Sequence, residues 1–109
     1  MDDEVTFVRI YIKETDRGRK KSLMEEILNI LHDQHGAHRA VVFRAIAGFD
    51  SEGEVHCADI LRLMVDLPLV IEFFDKPAVV EAAIGLLSGL VPAGHIVHWR
   101  ARCPNFSAQ

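Results

Sequence analysis

The sequence has no long hydrophobic run and few cysteines. Its most apolar stretch, 78–91, is interrupted by Glu81, Gly85 and Gly89, and it falls short of the ~20 residues that a membrane-spanning helix needs. The first residues, Met-Asp-Asp-Glu, lack the basic start and apolar core of a signal peptide. With Cys57 and Cys103 as the only cysteines, we expect a cytoplasmic protein that is not embedded in a membrane.

An excess of positive charge and the common catalytic motifs are also missing. The chain has 12 Lys and Arg against 16 Asp and Glu, so it lacks the basic surface expected of a nucleic-acid-binding protein. It has no nucleophile elbow, no Cys-x-x-Cys and no His-Glu-x-x-His. We therefore predict that it is not an enzyme and that nucleic acid is not its partner. With 109 residues, 50% of them hydrophobic, the chain suits a single globular domain over 1–109.

The hydrophobic periodicity predicts the order β-α-β-loop-β-α-β. The predicted elements are a strand at 5–13, a helix from the capping box Ser22-Leu-Met-Glu25, a strand at 39–47, a strand at 69–75, a helix opened by Pro77 and a strand at 96–102. Two such βαβ halves form an α+β ferredoxin-like plait, in which two helices cover one face of a four-stranded antiparallel sheet. We expect the spatial strand order 4-1-3-2, a loop at about 48–66 and a short C-terminal tail at 103–109.

The alternation within each strand assigns two faces to this sheet. The predicted helix-covered face carries Val8, Ile10, Ile12, Val41, Phe43, Ala45, Leu69, Ile71, Phe73, Val97 and Trp99. The other face carries Phe7, Tyr11, Val42, Ile46, Val70, Phe74 and Ile96, together with Arg9, Arg44, Glu72 and His98.

The second face is too apolar to remain in water as one patch, and we expect oligomerisation to cover it. Glu72 would pair there with both Arg9 and Arg44, which would satisfy charges that assembly removes from water. The candidate interface residues are Arg9, Ile46, Glu72 and Phe74. An ordinary solvated sheet face with a scattered ion pair is the alternative.

A set of short motifs follows in order along nearly the whole chain. It comprises Glu14-Thr-Asp16-Arg17, Arg44-Ala-Ile-Ala-Gly48-Phe49, His56, Leu61-Arg-Leu-Met-Val-Asp66-Leu67-Pro68, and Ile71-Glu72 with Asp75. This set resembles the PII-like family called domain of unknown function 190. The resemblance implies a ferredoxin-like subunit of a homotrimer, with small-molecule sites in clefts between subunits near the base of the loop. It also implies a membrane transporter as partner, because members of the family are often encoded beside fluoride-exporting channels.

The predicted loop does not contain a Walker motif. Gly48 and Gly53 have the spacing of P-loop glycines, but Glu54 stands where a lysine would neutralise phosphate. The loop acids would repel an anion, so arginines from elsewhere, such as Arg17 or Arg44, would have to hold it. The alternatives are a divalent ion held by the acids or a solvated hairpin whose glycines only permit the turn.

Candidate ligand contacts therefore lie around the loop and in the basic turn before the first helix. They are Arg17, Arg44, Gly48, Phe49 and His56, with an adenine nucleotide as the candidate ligand. Phe49 is suited either to stacking on a planar base or to anchoring the loop on a neighbouring subunit. His56 is suited equally to a loop-closing hydrogen bond and to a ligand contact.

The histidines suggest a metal alternative, which their spacing does not favour. His32, His35 and His38 bracket the end of the first predicted helix, and His95, His98 and Cys103 lie near the last strand, but neither set shares one face. We predict no metal site. The leading function is a PII-like trimeric sensor that signals through its 48–66 loop. A CutA-like metal-responsive trimer and a structural interaction protein without a small ligand are the alternatives.

Overall fold

The computed structural model describes residues 1–34, 39–49, 55–57 and 67–108. Within these ranges the elements are, in chain order, β1 (Asp2–Lys13), α1 (Leu23–Asn29) continued by a π-helical turn (Ile30–Gln34), β2 (Ala40–Arg44), β3 (Ala47–Phe49), β4 (Val55–Cys57), β5 (Pro68–Asp75), α2 (Pro77–Leu87), β6 (Ile96–Pro104) and a 3₁₀ turn (Phe106–Ala108). Strands β2, β5, β1 and β6 form an antiparallel sheet in that order, and β3 pairs with β4. The predicted plait and its 4-1-3-2 order are confirmed.

The helices begin where the sequence signals predict. Ser22 is the N-cap of α1, and its Oγ accepts a hydrogen bond from the backbone N–H of Glu25 at 3.2 Å. Pro77 is the first residue of α2, where its fixed φ suits the helix and its missing N–H costs no hydrogen bond.

The core lies between the two helices and one face of the sheet. Its members are buried apolar side chains from both layers: Val8, Ile10, Ile12, Leu23, Ile27, Leu31, Leu69, Ile71, Phe73, Val80, Ala83, Leu87 and Val91. The inward residues predicted for β1 and β5 are therefore confirmed. The opposite side of the sheet, which carries no helix, is called the open face below.

The faces predicted for β2 and β6 are wrong by one residue. Directly opposed residues of an antiparallel pair share a face, and Val42 lies opposite Ile71 while Ile96 lies opposite Ile10. Val42 and Ile96 therefore lie on the core side. The open face instead receives Val41, Phe43, Val97 and Trp99, and Arg44 and His98 lie on the core side with Val42 and Ile96. Both are edge strands with apolar residues at consecutive positions, so alternation does not fix their phase.

The second predicted strand is also shorter than expected. It ends at Arg44 rather than at position 47, and the chain bends at Ile46 before β3 begins. In the hairpin of β3 and β4, Ala47 lies opposite Cys57, Gly48 opposite His56 and Phe49 opposite Val55. The base of the predicted loop is therefore a short antiparallel ladder. Residues 50–54 and 58–66 lie outside the described part of the chain.

Residues 103–108 of the predicted C-terminal tail are part of the fold. β6 continues to Pro104, and Asn105 adopts a positive φ of 55° that turns the chain. Phe106 is buried, and its ring lies 5.8 Å from that of Phe74. Ser107 donates from its backbone N and from its Oγ to Asp3 Oδ2, both at 3.1 Å. This turn covers one end of the open face.

Candidate functional site

An aromatic cluster occupies the centre of the open face. The rings of Phe7 and Trp99 stack with centroids 4.8 Å apart and an interplanar angle of 22°. Phe7 also stacks on Phe74 at 5.8 Å. Three strands contribute to this cluster, because Phe7 lies opposite both Phe74 on β5 and Trp99 on β6.

An ion pair between Arg9 and Glu72 lies beside the cluster. Arg9 Nε donates to Glu72 Oε1 at 2.8 Å, and Arg9 Nη2 contacts the same oxygen. The Arg9 guanidinium lies 5.6 Å from the centre of the Trp99 ring, within range of a cation–π contact. The side chain of Tyr11 and, next, that of Glu72 raise the pKa of Arg9 above its ordinary value. The predicted pairing of Arg9 with Glu72 is confirmed.

The predicted third member of this ion pair is wrong. Arg44 lies opposite Leu69 on the core side of the sheet, and its Nε pairs with Glu14 Oε1 at 2.5 Å. The residue opposite Glu72 on β2 is Val41. The one-residue shift of β2 therefore places Arg44 on the face opposite to that of Glu72. There it lies beside Glu14, at the end of the sheet where the 48–66 loop starts.

The rest of the open face carries large apolar side chains that remain exposed in the single chain. They are Tyr11, Val41, Phe43, Val97 and Trp99, each between 41% and 51% exposed. Ile46, predicted as an interface residue, is 79% exposed, but it follows the end of β2 and pairs with no sheet strand. A patch of this kind is typical of a surface that contacts another protein.

A second feature is a depression beside the base of the loop, of about 410 Å³. It is lined by Glu14, Ser22, Met24, Val42, Arg44 and Leu69. Arg44 is half exposed at this depression, so its guanidinium provides N–H donors in a concave, partly apolar setting. Such a group suits a carboxylate or phosphate, which arginine binds through two parallel hydrogen bonds.

Glu14 connects this depression to both flanks of the loop, and the sequence reasoning did not single it out. One carboxylate oxygen pairs with Arg44, and the other accepts a hydrogen bond from the backbone N of Leu67 at 3.1 Å. Glu14 N also donates to Leu67 O at 3.0 Å. A sequence signal was present, since Glu14 opens the motif Glu14-Thr-Asp16-Arg17, but its partners are too distant along the chain to be inferred.

The other candidate ligand residues lie near the same end of the sheet. Arg17 is exposed and forms a backbone bridge with Ser22, which lines the depression. Gly48 packs against Pro68, so that a Cβ at Gly48 would lie 2.8 Å from Pro68 Cγ. Phe49 is 75% exposed. His56 is described only by its backbone pairing with Gly48.

The described histidines do not gather into a metal site. Within 1–34, 39–49, 55–57 and 67–108, no three His, Cys, Asp or Glu side chains are grouped to hold a metal ion. His32 Nδ1 lies 2.6 Å from Asp33 Oδ1, and His95 Nδ1 lies 2.9 Å from the backbone oxygen of Tyr11. His35 and His38 lie outside the described residues. In the same ranges, neither helix has the length and apolar character needed to cross a membrane.

Solved structures of PII-like proteins and of a CutA1 protein share this fold. CPII from Thiomonas intermedia K12, bound to ADP and bicarbonate, superposes with a TM-score of 0.66 at 10% identity, covering 94% of this chain and 91% of that one. A second CPII structure, bound to ADP, AMP and bicarbonate, gives a TM-score of 0.66 at 11% identity over the same shares. The divalent ion tolerance protein CutA1 from Ehrlichia chaffeensis gives 0.57 at 16% identity, covering 93% of this chain and 82% of that one.

The family follows from sequence. The model of DUF190, described as "Uncharacterized ACR, COG1993", matches residues 5–103, and the chain belongs to this family. UPF0166 protein MJ1524 from Methanocaldococcus jannaschii is 34% identical over 68 residues. That match covers 62% of this chain and 61% of the relative, less than two thirds of the relative's length.

Proposed function

We propose that this protein is a cytoplasmic, non-enzymatic PII-like regulator. Three copies assemble through the open face and bind an adenine nucleotide or a similar small anion in the clefts between subunits. The 48–66 segment passes the binding signal to a protein partner, for which a membrane transporter is our candidate. The observation that carries this proposal is the depression at the loop base, where the Arg44 guanidinium is half exposed beside the start of that segment.

The open face supports the assembly part of the proposal. Its aromatic and aliphatic side chains are exposed in one chain, and burying them against copies of the same face would release ordered water at little polar cost. Two of the described charges on this face, Arg9 and Glu72, form an ion pair, so assembly would bury them as a neutralised pair. A third, Arg39, lies over the Phe74 ring, with its guanidinium 5.9 Å from the ring centre.

The depression supports the ligand part. Arg44 provides the charge-assisted hydrogen bonds that phosphate and carboxylate groups accept, and the exposed Phe49 follows shortly after in the chain as a surface for a planar base. The CPII structures of the same fold contain ADP, AMP and bicarbonate. Ligands of that chemistry are therefore the first to test.

A thermal-shift screen tests the proposal directly. The panel contains AMP, ADP, ATP, cyclic nucleotides, bicarbonate, fluoride and divalent metal ions, each in large excess over the protein. A ligand at about 100 times its dissociation constant stabilises the folded state by about 2.7 kcal/mol, which gives a measurable rise in Tm. A shift with one nucleotide supports the sensor, whereas no shift with any member of the panel contradicts small-ligand binding and favours an interaction protein without a small ligand.

Two arginines provide a matched comparison for the site. Arg44 and Arg100 each pair with a glutamate, Glu14 and Glu4 respectively, but Arg100 lies towards the other end of the sheet, opposite Thr6. Arg44→Gln should abolish the nucleotide shift while leaving assembly intact, and Arg100→Gln should leave both unchanged. Loss of assembly with Arg44→Gln would instead assign Arg44 a structural role.

A metal-responsive trimer is the second candidate, and the likeness to CutA1 in fold favours it. A Tm shift with divalent ions alone, abolished by replacing His95 or His98 with Ala, would support this candidate over the nucleotide sensor. A nucleotide shift that does not depend on these histidines would count against it.

A further inference from the structure

Glu14 holds together the two chain segments that flank residues 45–66. Its Oε1 pairs with Nε of Arg44, the last residue of β2, and its Oε2 accepts from the backbone N of Leu67, where the chain returns to the sheet. We propose that Glu14 transmits ligand binding to the loop base, because an anion in the depression competes with Glu14 for Arg44 and thereby weakens the contact with Leu67. This inference rests on the anion-binding function proposed above.

Few other side chains could accept both of the hydrogen bonds that the two oxygens of Glu14 accept. An ionised carboxylate only accepts hydrogen bonds, and here it accepts from a guanidinium on one flank and from an amide on the other. The Glu14 side chain is 23% exposed, so both bonds are partly sheltered from water. Ala45 N donates to Pro68 O at 2.9 Å, which adds a direct contact between the same two flanks.

A bound anion changes this arrangement through charge. Arg44 and Glu14 both line the depression, so an anion that binds the guanidinium there comes close to the Glu14 carboxylate and repels it. As the carboxylate moves away from Arg44, Leu67 N loses its charged acceptor. The coupling is reciprocal, so any change that weakens the ion pair between Glu14 and Arg44 must also raise the affinity of the protein for the anion.

The same argument ranks the ligands by how strongly each should displace Glu14 from Arg44. A phosphate group with about two negative charges at neutral pH competes better with a carboxylate than a singly charged ion does. A nucleoside phosphate should therefore loosen the flanks strongly, and bicarbonate should do so weakly or not at all.

Glu14→Gln is the informative variant, tested in the full assembly with ADP as probe. Glutamine has one acceptor oxygen, and its NH₂ group only donates. Because Arg44 Nε and Leu67 N face different oxygens of Glu14, a glutamine placed in the same way turns its NH₂ group towards one of these donors, which then loses its acceptor. Calorimetry gives the affinity for ADP, and amide hydrogen exchange by NMR reports on Leu67 and Ala45. In the wild type, ADP should accelerate exchange at both amides. In Glu14→Gln, exchange should be fast without ADP and insensitive to it, and ADP should bind about 5-fold tighter or more.

Two further variants separate this mechanism from a general effect of charge. Glu25→Gln removes the same charge from an exposed position in the first turn of α1, so it should change neither the exchange nor, beyond a small factor, the affinity. Glu14→Asp keeps the charge but is too short to reach both flanks. If its charge keeps it paired with Arg44, it loses the contact with Leu67, so it should raise exchange at Leu67 with little gain in affinity. It also provides a second readout if Glu14→Gln folds poorly.

The outcomes separate the role proposed for Glu14 from the nucleotide-binding function on which it rests. If ADP binds the wild type but exchange at Leu67 is unaffected, or if Glu25→Gln tightens binding as much as Glu14→Gln does, the role of Glu14 is refuted and the proposed function stands. If ADP fails to bind the wild type, the proposed nucleotide function falls and this inference falls with it.

Discussion

Phe7 and Trp99 lie directly opposite each other on β1 and β6, and their rings stack 4.8 Å apart on the open face of the sheet. Trp99 is the only tryptophan of the chain and is 41% exposed. If the open face is the contact between copies, this indole lies in the interface. Its fluorescence then reports on assembly without any label.

Trp99→Glu should dissociate the assembly. The substitution replaces an apolar ring by a carboxylate beside an arginine that already pairs with Glu72, in a surface that must leave water, whereas in the single chain the position is half exposed and the new charge stays hydrated. Size-exclusion chromatography with light scattering should show a trimer for the wild type and a monomer for the variant. On dilution, the emission maximum of the wild type should move to longer wavelength as Trp99 becomes hydrated.

The matched control for this substitution is Leu86→Glu. Leu86 on α2 is 45% exposed, close to the exposure of Trp99, but it belongs to the helical layer. It should leave the assembly unchanged. Dissociation by Leu86→Glu with no effect of Trp99→Glu would place the interface on the helical side, and a monomeric wild type would refute the open-face interface altogether.

Gly48→Ala should destabilise the protein, because a Cβ at this position would lie 2.8 Å from Pro68 Cγ. Relief of such a contact requires the β3–β4 hairpin to shift from the sheet, and overpacking of this kind costs about 1–3 kcal/mol. Gly85→Ala is the control, since a Cβ at Gly85 in α2 meets nothing within 4 Å. It should stabilise the helix by up to about 1 kcal/mol. Urea denaturation at a fixed protein concentration measures both, and equal stability of Gly48→Ala and wild type would contradict the packing argument.

The fold could be predicted from the sequence because its central strands and helix starts carry unambiguous signals. In β1, Val8, Ile10 and Ile12 alternate with Arg9, Tyr11 and Lys13, and in β5 the charged Glu72 marks the outward face within an otherwise apolar run. Ser22 and Pro77 mark the helix starts. The edge strands carry no such signal. At Val41-Val42-Phe43 and Ile96-Val97 both faces receive apolar side chains, so only the pairing with β5 and β1 decides their phase.

The candidate site was harder to predict for a related reason. Placing Arg44 depended on the phase of β2, and the one-residue shift moved it from Glu72 to Glu14. The contact of Glu14 with Leu67 joins residues 53 positions apart, a relation that only the folded sheet creates. The Arg9 and Glu72 pair was predictable, because it lies between two central strands of well-defined phase.

Leu87→Ala should lower the stability by about 2–5 kcal/mol. Leu87 is fully buried at the end of α2 within the core, and the substitution removes its contacts and leaves a cavity. The neighbouring Leu86 supplies the control, because Leu86→Ala truncates the same side chain at a half-exposed position and should cost less than about 1 kcal/mol. Similar shifts of the two urea midpoints would show that α2 does not pack as described.

Asp3→Asn should destabilise the C-terminal turn in a pH-dependent manner. The backbone N–H and the hydroxyl of Ser107 donate to the Asp3 carboxylate and hold its pKa below the ordinary value of 3.8. A group with a lowered folded-state pKa stabilises the fold above its unfolded pKa, and the contribution is lost as the pH falls through the folded pKa. The variant should therefore melt below the wild type at pH 7, and the gap should close as the pH falls below about 4.

The neighbouring aspartate makes this test specific. Asp2→Asn removes the same charge from an adjacent position on β1, whereas the carboxylate that accepts from Ser107 is that of Asp3. Asp2→Asn should therefore leave the melting temperature nearly unchanged across the pH range. Phe106 in this turn packs on Phe74 of the aromatic cluster, so loosening the turn should also expose the C-terminus to carboxypeptidase. Cleavage at pH 7 should therefore be faster for Asp3→Asn than for Asp2→Asn. Equal cleavage rates, or a gap in Tm that does not vary with pH, would show that the Asp3 carboxylate does not hold the turn in place.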